Sequence, residues 1–322
     1  MAASDQAPDY LFEYAPISLW EEDYSDLKRY LDELRAGGIT DLGAHLGQHP
    51  EIVTESMRRI RVIKVNRKTL QLFHAAGQEE LLANLDRVFR DEMRTHFYDE
   101  LLAIWRGEPD FACDGVNYTL DGEAIEIRLH WAALPGAEAS YNHVLVSIED
   151  ITARKHAEDY LKYLGTHDVL TGLYNRAYFA EELARLGRGR RFPVSLIMAD
   201  LNGLKPVNDS LGHAEGDKLL RRAAEVLQTS VRAEDLVTRT GGDEFAIILP
   251  ATTAETAAEV AARIHNLVEL NNKFYGTPEL SLSLGTATGP VGANLNEVLR
   301  EADDKMYVEK RAHHARHGGR QT

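Results

Sequence analysis

The stretch that decides the fold is Thr238–Pro250, TRTGGDEFAIILP, in which two glycines and two acidic residues directly precede an apolar run. The run EFAIILP has the composition of a buried strand, and LVTRT before it is typical of a second strand. The glycines predict a tight hairpin turn with positive φ angles. Asp243 would lie on the turn and Glu244 would begin the next strand, so two carboxylates are expected at the edge of a core.

The segments around this hairpin predict an α+β domain. Upstream, PVSLIMADL is an apolar strand that ends in Asp200, and LSLSLGTAT is a further strand downstream. The predicted helices are 174–186, 216–229, 254–271 and 295–312. Strand, helix, hairpin, helix, strand is the ferredoxin-like order, which predicts a sandwich with helices on one face of the sheet.

If PVSLIMADL and EFAIILP are neighbouring strands, Asp200 and Asp243 converge at one edge of the sheet. Two carboxylates without His or Cys nearby form an oxygen-only site, which suits Mg²⁺ or Mn²⁺ and is usually completed by substrate phosphates. The chain has 51 acidic residues, so a solvated pair of surface acids is the alternative.

The segment DLNGLKPVNDSLGHAEGDKLL, which starts at Asp200, favours the metal site. Gly203 lets backbone approach a ligand closely, and Lys205 can reach a phosphate near a helix start. A carboxylate such as Asp217 can accept from both the N1–H and the amino group of guanine, which would reject adenine. Helix capping is the alternative for Asn208 and Asp217, and spacing alone favours it.

Five motifs in this order resemble the GGDEF domain family over about Gly165 to His317. They are DVLTGLYNR (Asp168–Arg176), DLNGLKPVND (Asp200–Asp209), GHAEGD (Gly212–Asp217), GGDEF (Gly241–Phe245) and ADDKMYVEK (Ala302–Lys310). The resemblance implies a fold related to nucleotide-cyclase palms. It also implies a diguanylate cyclase, which condenses two GTP molecules into cyclic di-GMP and two pyrophosphates.

The resemblance implies a role for each matching residue. Asp200, Asp243 and the Leu201 carbonyl would bind two Mg²⁺ (or Mn²⁺) ions per active site. Glu244, catalytic together with Asp243, would assist deprotonation or the second ion. Lys205 and Lys310 would hold phosphates, while Asn208 and Asp217 would read guanine. Because each domain would hold one GTP, activity requires a homodimer.

A second site is implied at VRAED, where Arg232 and Asp235 form an R-x-x-D pattern nine residues before the glycines. In similar proteins this position binds the product, cyclic di-GMP, as a feedback inhibitor, and Arg239 is assigned to the same site. Arginine can grip the O6/N7 edge of guanine with two hydrogen bonds. An exposed ion pair is the alternative explanation of a lone R-x-x-D.

The chain departs from the family pattern at two places. Asn202 stands where many members have aspartate, and Gly203-Leu204 where many have aromatic residues. His313 and His314 replace a Gly-Arg pair, which leaves Arg311 and Arg316 as candidate substitutes for that arginine.

The N-terminal half, 9–152, predicts a smaller domain that ends in an antiparallel sheet. DLKRYLDELR and VNRKTLQLFHAAGQEELLANL have helical spacing, and YTLDGEAIEIRLHWAAL and YNHVLVSIEDI alternate as strands, with a turn at Asp121-Gly122. IEDITARKHAE resembles the end of a PAS domain, which implies a PAS-like sensor. The chain lacks a flavin-type cysteine motif, and the sequence predicts no particular ligand for this domain.

A connecting signalling helix is predicted at 153–166, between the sensor and a GGDEF domain at 167–317. Ala157, Leu161 and Leu164 form a narrow apolar seam at i, i+4 and i+7. A dimeric signalling helix and a surface helix packed on its own domain both explain this seam, and the position between two domains favours the first.

Composition excludes several classes of partner. A net charge of −15 argues against a binder of nucleic-acid polymers or of anionic membranes, since both require a cationic face. The acidic start MAASDQAPDY and the absence of a long apolar run predict a cytoplasmic protein. The rivals are a non-catalytic cyclic di-GMP receptor, an enzyme that also accepts ATP and a pure interaction module. The intact catalytic motifs argue against a receptor, and Asp217 argues against the use of ATP. The order of the five motifs argues against a pure interaction module.

Overall fold

The computed structural model describes residues 7–90, 93–189 and 191–317. The chain forms two compact units, Met1–Glu158 and Asp159–Thr322. Within the described ranges, no helix has both the length and the apolar composition needed to cross a bilayer.

The N-terminal unit is built on a five-stranded antiparallel sheet in the order β2-β1-β5-β4-β3. The strands are β1 Ser18–Asp23, β2 Arg61–Val65, β3 Asp110–Tyr118, β4 Ala124–Ala133 and β5 Val144–Asp150. The helices are α1 Ala7–Glu13, α2 Ser25–Ala36, α3 Leu42–Gln48, α4 Glu51–Met57, α5 Arg67–Leu72, α6 Gln78–Ala83, α7 Leu85–Val88 and α8 Met93–Arg106. The predicted turn between β3 and β4 has Gly122 at φ +91°, a conformation that glycine adopts without strain.

Two features of this unit differ from the sequence prediction. The long helix predicted in VNRKTLQLFHAAGQEELLANL is broken into α5 and α6, with His74 between them at φ +56°. Strand β1 was not predicted, although it lies inside the sheet. Its buried positions are Ser18, Trp20 and Glu22, so polar residues occupy two of the three inward sites and hide the apolar alternation.

Helix α9, Thr152–Thr166, contains the predicted connecting helix. None of its residues is buried, and Tyr160 and Leu161 are among the exposed large side chains. Thr152 accepts from the Glu126 N–H and Lys155 pairs with Asp114, so the interpretation as a surface helix packed on its own domain also stays open. The dimeric interpretation stays a prediction.

The C-terminal unit holds a second five-stranded sheet in the order β10-β7-β9-β8-β6. Its strands are β6 Tyr174–Asn175, β7 Val194–Leu201, β8 Leu236–Arg239, β9 Glu244–Leu249 and β10 Leu282–Gly289. Its helices are α10 Arg176–Gly187, α11 Leu204–Leu211, α12 His213–Thr229, α13 Ala254–Tyr275 and α14 Leu295–His317. All pairs are antiparallel except β6 with β8.

Helices cover both faces of this sheet, so the expectation of helices on one face is wrong. One core joins alternate residues of β7 and β9, such as Ala199 and Phe245, to α12 and α13. The other joins the intervening residues, such as Met198 and Ala246, to α10 and α14. Every residue of β7 is buried, as expected of a strand covered on both sides.

Two local details determine how the flanking helices attach. Tyr174 and Asn175, predicted as the start of a helix, form the short strand β6, and the Asn175 side chain caps α10 by accepting from the Tyr178 N–H. On β10, a Cβ at Gly285 would lie 2.0 Å from the Ala302 carbonyl oxygen and 2.2 Å from the Met306 nitrogen. Helix α14 therefore packs on β10 at a distance that only glycine allows.

Candidate active site

The hairpin and β7 bring three carboxylates to one edge of the second sheet. Strands β7 and β9 are antiparallel neighbours, with Asp200 opposite Glu244. The Leu201 N–H donates to the Asp243 carbonyl at 2.8 Å, which fixes the turn beside the end of β7. Asp200, Asp243 and Glu244 thus lie close together, as the sequence predicted.

Asp200 is a buried carboxylate with one oxygen bound and one free. It is 2% exposed, and its Oδ2 accepts from the Lys310 ammonium at 2.5 Å. Its Oδ1 has no hydrogen-bond partner among the described residues. Burial raises the pKa of Asp200, and the charges of Asp243 and Glu244 raise it further against the opposing effect of Lys310. An oxygen left in this state fits a cation as its missing partner.

Lys310 responds to the same charges. Burial alone would lower the pKa of its ammonium, but the bond to Asp200 and the nearby acids outweigh burial and raise this pKa. Lys310 therefore stays charged, and it supplies the positive charge that a divalent ion would otherwise supply to Asp200.

The donor set fits a divalent ion that takes further ligands from a substrate. No three His, Cys, Asp or Glu side chains converge into a complete metal site in the described part of the chain. Asp200 and Asp243 offer hard carboxylate oxygens, and the Leu201 carbonyl lies beside them in sequence. Mg²⁺ is commonly held by one or two carboxylates plus phosphate oxygens, so an incomplete protein site suits it.

The two turn glycines matter for the room they leave around the turn, and not for positive φ angles. Neither Gly241 nor Gly242 has a positive φ, so that prediction is wrong. A Cβ on Gly241 would lie 2.8 Å from Oε2 of Glu244, whereas Gly242 faces open space. Glycine at 241 therefore leaves room for the Glu244 side chain, and glycine at 242 leaves the turn accessible.

Arg239 stabilises this turn through hydrogen bonds. Its guanidinium donates to the Gly242 carbonyl at 2.7 Å and to both carboxylate oxygens of Asp168 at 3.1 and 3.2 Å. The sequence had suggested Arg239 for the product site and no role for Asp168. In the structure the two residues form one ion pair that holds the turn, and Arg239 is not free.

The loop after β7 presents Lys205. Gly203 has φ +78° and precedes α11, so a residue with a side chain would be strained there. Lys205 is exposed in the first turn and has no hydrogen bond or ion pair to any described residue. The helix begins at Leu204, two residues before Pro206.

Asn208 and Asp217 do not cap helices, so the capping alternative is wrong. The residue that precedes α12 is Gly212, and no side chain caps that helix. Asn208 Oδ1 is buried without a hydrogen-bond partner in the described structure, and a Cβ on Gly216 would lie 1.9 Å from it. Asp217 follows Gly216, is half-buried and makes no hydrogen bond to a described residue. Both side chains therefore retain polar atoms for a ligand.

The R-x-x-D segment is a turn, but its two side chains are not an ion pair. Asp235 Oδ2 accepts from the backbone N–H of Arg232 at 2.9 Å, and burial raises the pKa of Asp235. The Arg232 guanidinium is exposed, and no ion pair joins it to a described residue. The alternative of an exposed ion pair is therefore wrong.

A hydrogen-bonded cluster behind the acids was not predicted from the sequence. Asn202 is 5% exposed, and its amide donates to Oγ of Ser281 at 3.1 Å and of Ser283 at 2.9 Å. His313 reaches the same Ser281 hydroxyl at 3.1 Å. Asn202 is thus satisfied within the protein, and His313, one of the two departing histidines, packs beside it. The signal available in the sequence was Asn202 itself, a polar residue two positions after Asp200 at the end of an apolar strand.

Comparison with known proteins identifies the C-terminal unit. Residues 165–316 match the family described as "Diguanylate cyclase, GGDEF domain". These residues are a GGDEF domain.

Several known proteins are similar to parts of this chain. The chain is 33% identical over 171 residues to diguanylate cyclase DgcM of Escherichia coli, which is 52% of this chain and 41% of that protein. The GGDEF domain of PA1120 from Pseudomonas aeruginosa is 34% identical, with a TM-score of 0.41 over 45% of this chain and 89% of that one. The GGDEF domain of DgcB from Caulobacter crescentus, in complex with c-di-GMP, is 30% identical, with a TM-score of 0.42 over 46% and 88%. The chain spans about two fifths of the length of the curated relatives it matches.

Proposed function

We propose that the protein is a diguanylate cyclase that condenses two GTP molecules into cyclic di-GMP. The observation that carries the proposal is Asp200, a buried carboxylate with an unpartnered oxygen, beside Asp243 and Glu244 in a GGDEF domain. In this reaction the 3′-hydroxyl of each GTP attacks the α-phosphate of the other. Each attack forms one P–O bond and breaks the bond between the α-phosphate and the departing pyrophosphate, so two pyrophosphates leave in total.

Asp200, Asp243 and the Leu201 carbonyl would hold two Mg²⁺ or Mn²⁺ ions. When bound, such ions neutralise charge on the attacking and leaving oxygens. Lys310 donates to Asp200, and its ammonium would turn to a phosphate once a divalent ion binds that carboxylate. Lys205, exposed and unpaired in the described chain, adds a second cation for the phosphates. Glu244, exposed at the start of β9, would take up the proton released by the 3′-hydroxyl.

Guanine recognition is proposed for Asn208 and Asp217. Buried polar atoms without partners favour a ligand that satisfies them, and guanine offers both N–H donors and acceptors. The N1–H and the amino group of guanine are donors, so they require an acceptor such as the Asp217 carboxylate. Adenine has no N1–H and would leave that carboxylate unpaired. GTP rather than ATP is therefore the proposed substrate.

Replacing Gly216 with alanine is expected to raise the KM for GTP at least about tenfold, because the new methyl group would displace the Asn208 carboxamide. Steady-state kinetics with GTP measure the effect. The matched control is Gly47→Ala in α3 of the N-terminal unit, where an added Cβ has no atom within 4 Å. An unchanged KM in Gly216→Ala would contradict guanine binding by Asn208.

A homodimer is proposed through the connecting helix at 153–166, since α9 buries none of its residues. At its C-terminal end the rings of Tyr163 and His167 stack at 4.2 Å, and those of Tyr174 and Tyr178 continue the series at 4.5 and 4.3 Å. This series joins the end of α9 to α10. A PAS-like sensor at 9–152 would use that connection to control a catalytic domain at 167–317.

Feedback inhibition is proposed at Arg232 and Asp235. Arg232→Ala is expected to raise the cyclic di-GMP concentration that halves the initial rate by more than about tenfold, because it removes a bidentate contact to guanine. Initial rates at increasing product concentration measure this. Arg221→Ala, which removes another exposed arginine of the same unit, is the control. Equal inhibition of Arg232→Ala and wild type would place product binding elsewhere.

The proposal as a whole is tested by mass spectrometry of the nucleotides formed from GTP and Mg²⁺ by the full chain. Cyclic di-GMP and pyrophosphate in a 1:2 ratio are expected. A protein that binds cyclic di-GMP with an intact Arg232 but forms none of it would be a receptor instead. Synthesis from ATP at a comparable rate would overturn the assigned role of Asp217.

A further inference from the structure

The N-terminal unit contains a cavity of about 720 Å³ that the catalytic proposal does not use. Its floor is the sheet, through Leu129, Val146 and Ile148, and helices α4, α7 and α8 contribute the opposite wall. Cavities of this size hold a single small organic molecule.

The cavity combines aromatic walls with two buried carboxylates. Trp20 and Phe89 lie with ring centroids 5.8 Å apart, and Phe97 also lines the space. Glu22 on β1 is 7% exposed and Glu100 on α8 is 3% exposed, and both line the cavity. Carboxylates are almost never buried to this extent without a partner.

The protein supplies too few donors for these carboxylates. The Tyr24 hydroxyl donates its single proton to Glu100 Oε1 at 3.3 Å. Among the described side chains, only this hydroxyl also forms a hydrogen bond with Glu22. Four carboxylate oxygens therefore share one donor. Burial raises the pKa of Glu22 to about 7 and that of Glu100 to about 8, so both carboxyl groups retain protons near neutral pH.

We propose that this cavity binds a protonated organic amine, with the ammonium group between Glu22 and Glu100 and an aromatic or aliphatic body against the apolar walls. An ammonium supplies three donors and a positive charge, so it satisfies oxygens that the protein leaves unpaired. Trp20 and Phe89 line the same cavity and supply apolar surface for the body of the amine. A neutral alcohol of the same shape would lack the positive charge and two of the three donors.

The charged groups around the cavity also determine how binding depends on pH. Tyr24, Arg58, Asp86 and Arg90 line it together with Glu22 and Glu100, and the thiol of Cys113 lies within the electrostatic reach of Glu100, Asp99 and Asp114. Burial raises the pKa of Cys113 to about 12, so this thiol stays neutral. Between pH 6 and pH 8.5 the amine remains charged while Glu22 and Glu100 lose protons, so amine affinity is expected to increase across this range.

The test is calorimetric titration of the full chain with 2-phenylethylamine and tryptamine, compared with 2-phenylethanol and 3-phenylpropionate. We expect both amines to bind at pH 8.5 at least about tenfold more tightly than the alcohol or the acid, and more weakly at pH 6. Tighter binding of the acid would assign the cavity to anions held by Arg58 and overturn the proposal. Equal binding of amine and alcohol, or no binding of either amine, would also overturn it.

Single substitutions test whether Glu22 and Glu100 are responsible for amine binding. Glu22→Gln and Glu100→Gln are each expected to remove the preference for the amine, without lowering the unfolding temperature, because they remove a buried charge. Glu21→Gln is the matched control: it lies next to Glu22 but on the other face of β1, where it pairs with Lys64 and His143. Loss of amine binding in this control would contradict the site. The readout is binding, so it does not depend on catalytic activity.

Discussion

Asp200→Asn is expected to lower the rate of cyclic di-GMP synthesis by more than about 100-fold. Loss of an outer partner of a metal ligand already costs about 10- to 100-fold, and this change removes a proposed ligand itself. It also removes the negative charge that holds the Lys310 ammonium, so the proposed phosphate contact is disturbed at the same time. Product formation from GTP over a range of Mg²⁺ concentrations measures the effect.

The same variant distinguishes a functional from a structural role. The raised pKa of Asp200 means that its environment disfavours the ionised form, which therefore lowers the stability of the folded protein near neutral pH. Asp200→Asn should consequently keep or increase the unfolding temperature while activity disappears. Asp209→Asn, which changes an exposed acid on α11, should alter neither quantity. A large loss of stability in Asp200→Asn, with activity retained, would identify a structural ion pair instead of a metal site.

Gly285→Ala is expected to destabilise the C-terminal unit by about 3 kcal/mol or more. The new Cβ would lie 2.0 and 2.2 Å from backbone atoms of Ala302 and Met306, which cannot rotate away as a side chain could. Helix α14 would have to move off β10, and Lys310 would move with it. Thermal unfolding should show a decrease of about 6–12 °C, and GTP turnover should fall as well.

Gly165→Ala is the control for this substitution. Gly165 lies in α9 with no atom within 4 Å of an added Cβ, so alanine should change stability by less than about 1 kcal/mol, in the stabilising direction. If Gly285→Ala unfolds at the wild-type temperature, α14 does not approach β10 as closely as described.

The edge that holds Asp200 and Asp243 was predictable because its signals are local. A fully apolar strand that ends in an acid, followed by a Gly-Gly hairpin, determines which residues meet there. The contacts that link distant segments were not predictable in this way. Arg239 meets Asp168 across 71 positions and Lys310 meets Asp200 across 110, and no periodic pattern reports such a pairing.

Local rules also gave wrong answers where packing overrides propensity. The Gly-Gly pair suggested positive φ angles, but neither glycine has one, and at Gly241 the close approach of the Glu244 side chain is the observed feature. In the N-terminal unit, β1 escaped detection because Glu22 occupies an inward position that alternation assigns to an apolar residue. Glu22 thus both interrupts the apolar alternation of β1 and contributes one of the two carboxyl groups of the cavity.

The pairing of β7 with β9 limits how chain length can vary during evolution. The two strands match residue for residue from Ser195–Leu249 to Asp200–Glu244. Because side chains alternate, an insertion of one residue within β7 would exchange the two faces of the strand and turn Asp200 away from Lys310. Insertions and deletions in natural variants are therefore expected in the connections at 276–281 and 290–294, and absent from 194–201 and 244–249.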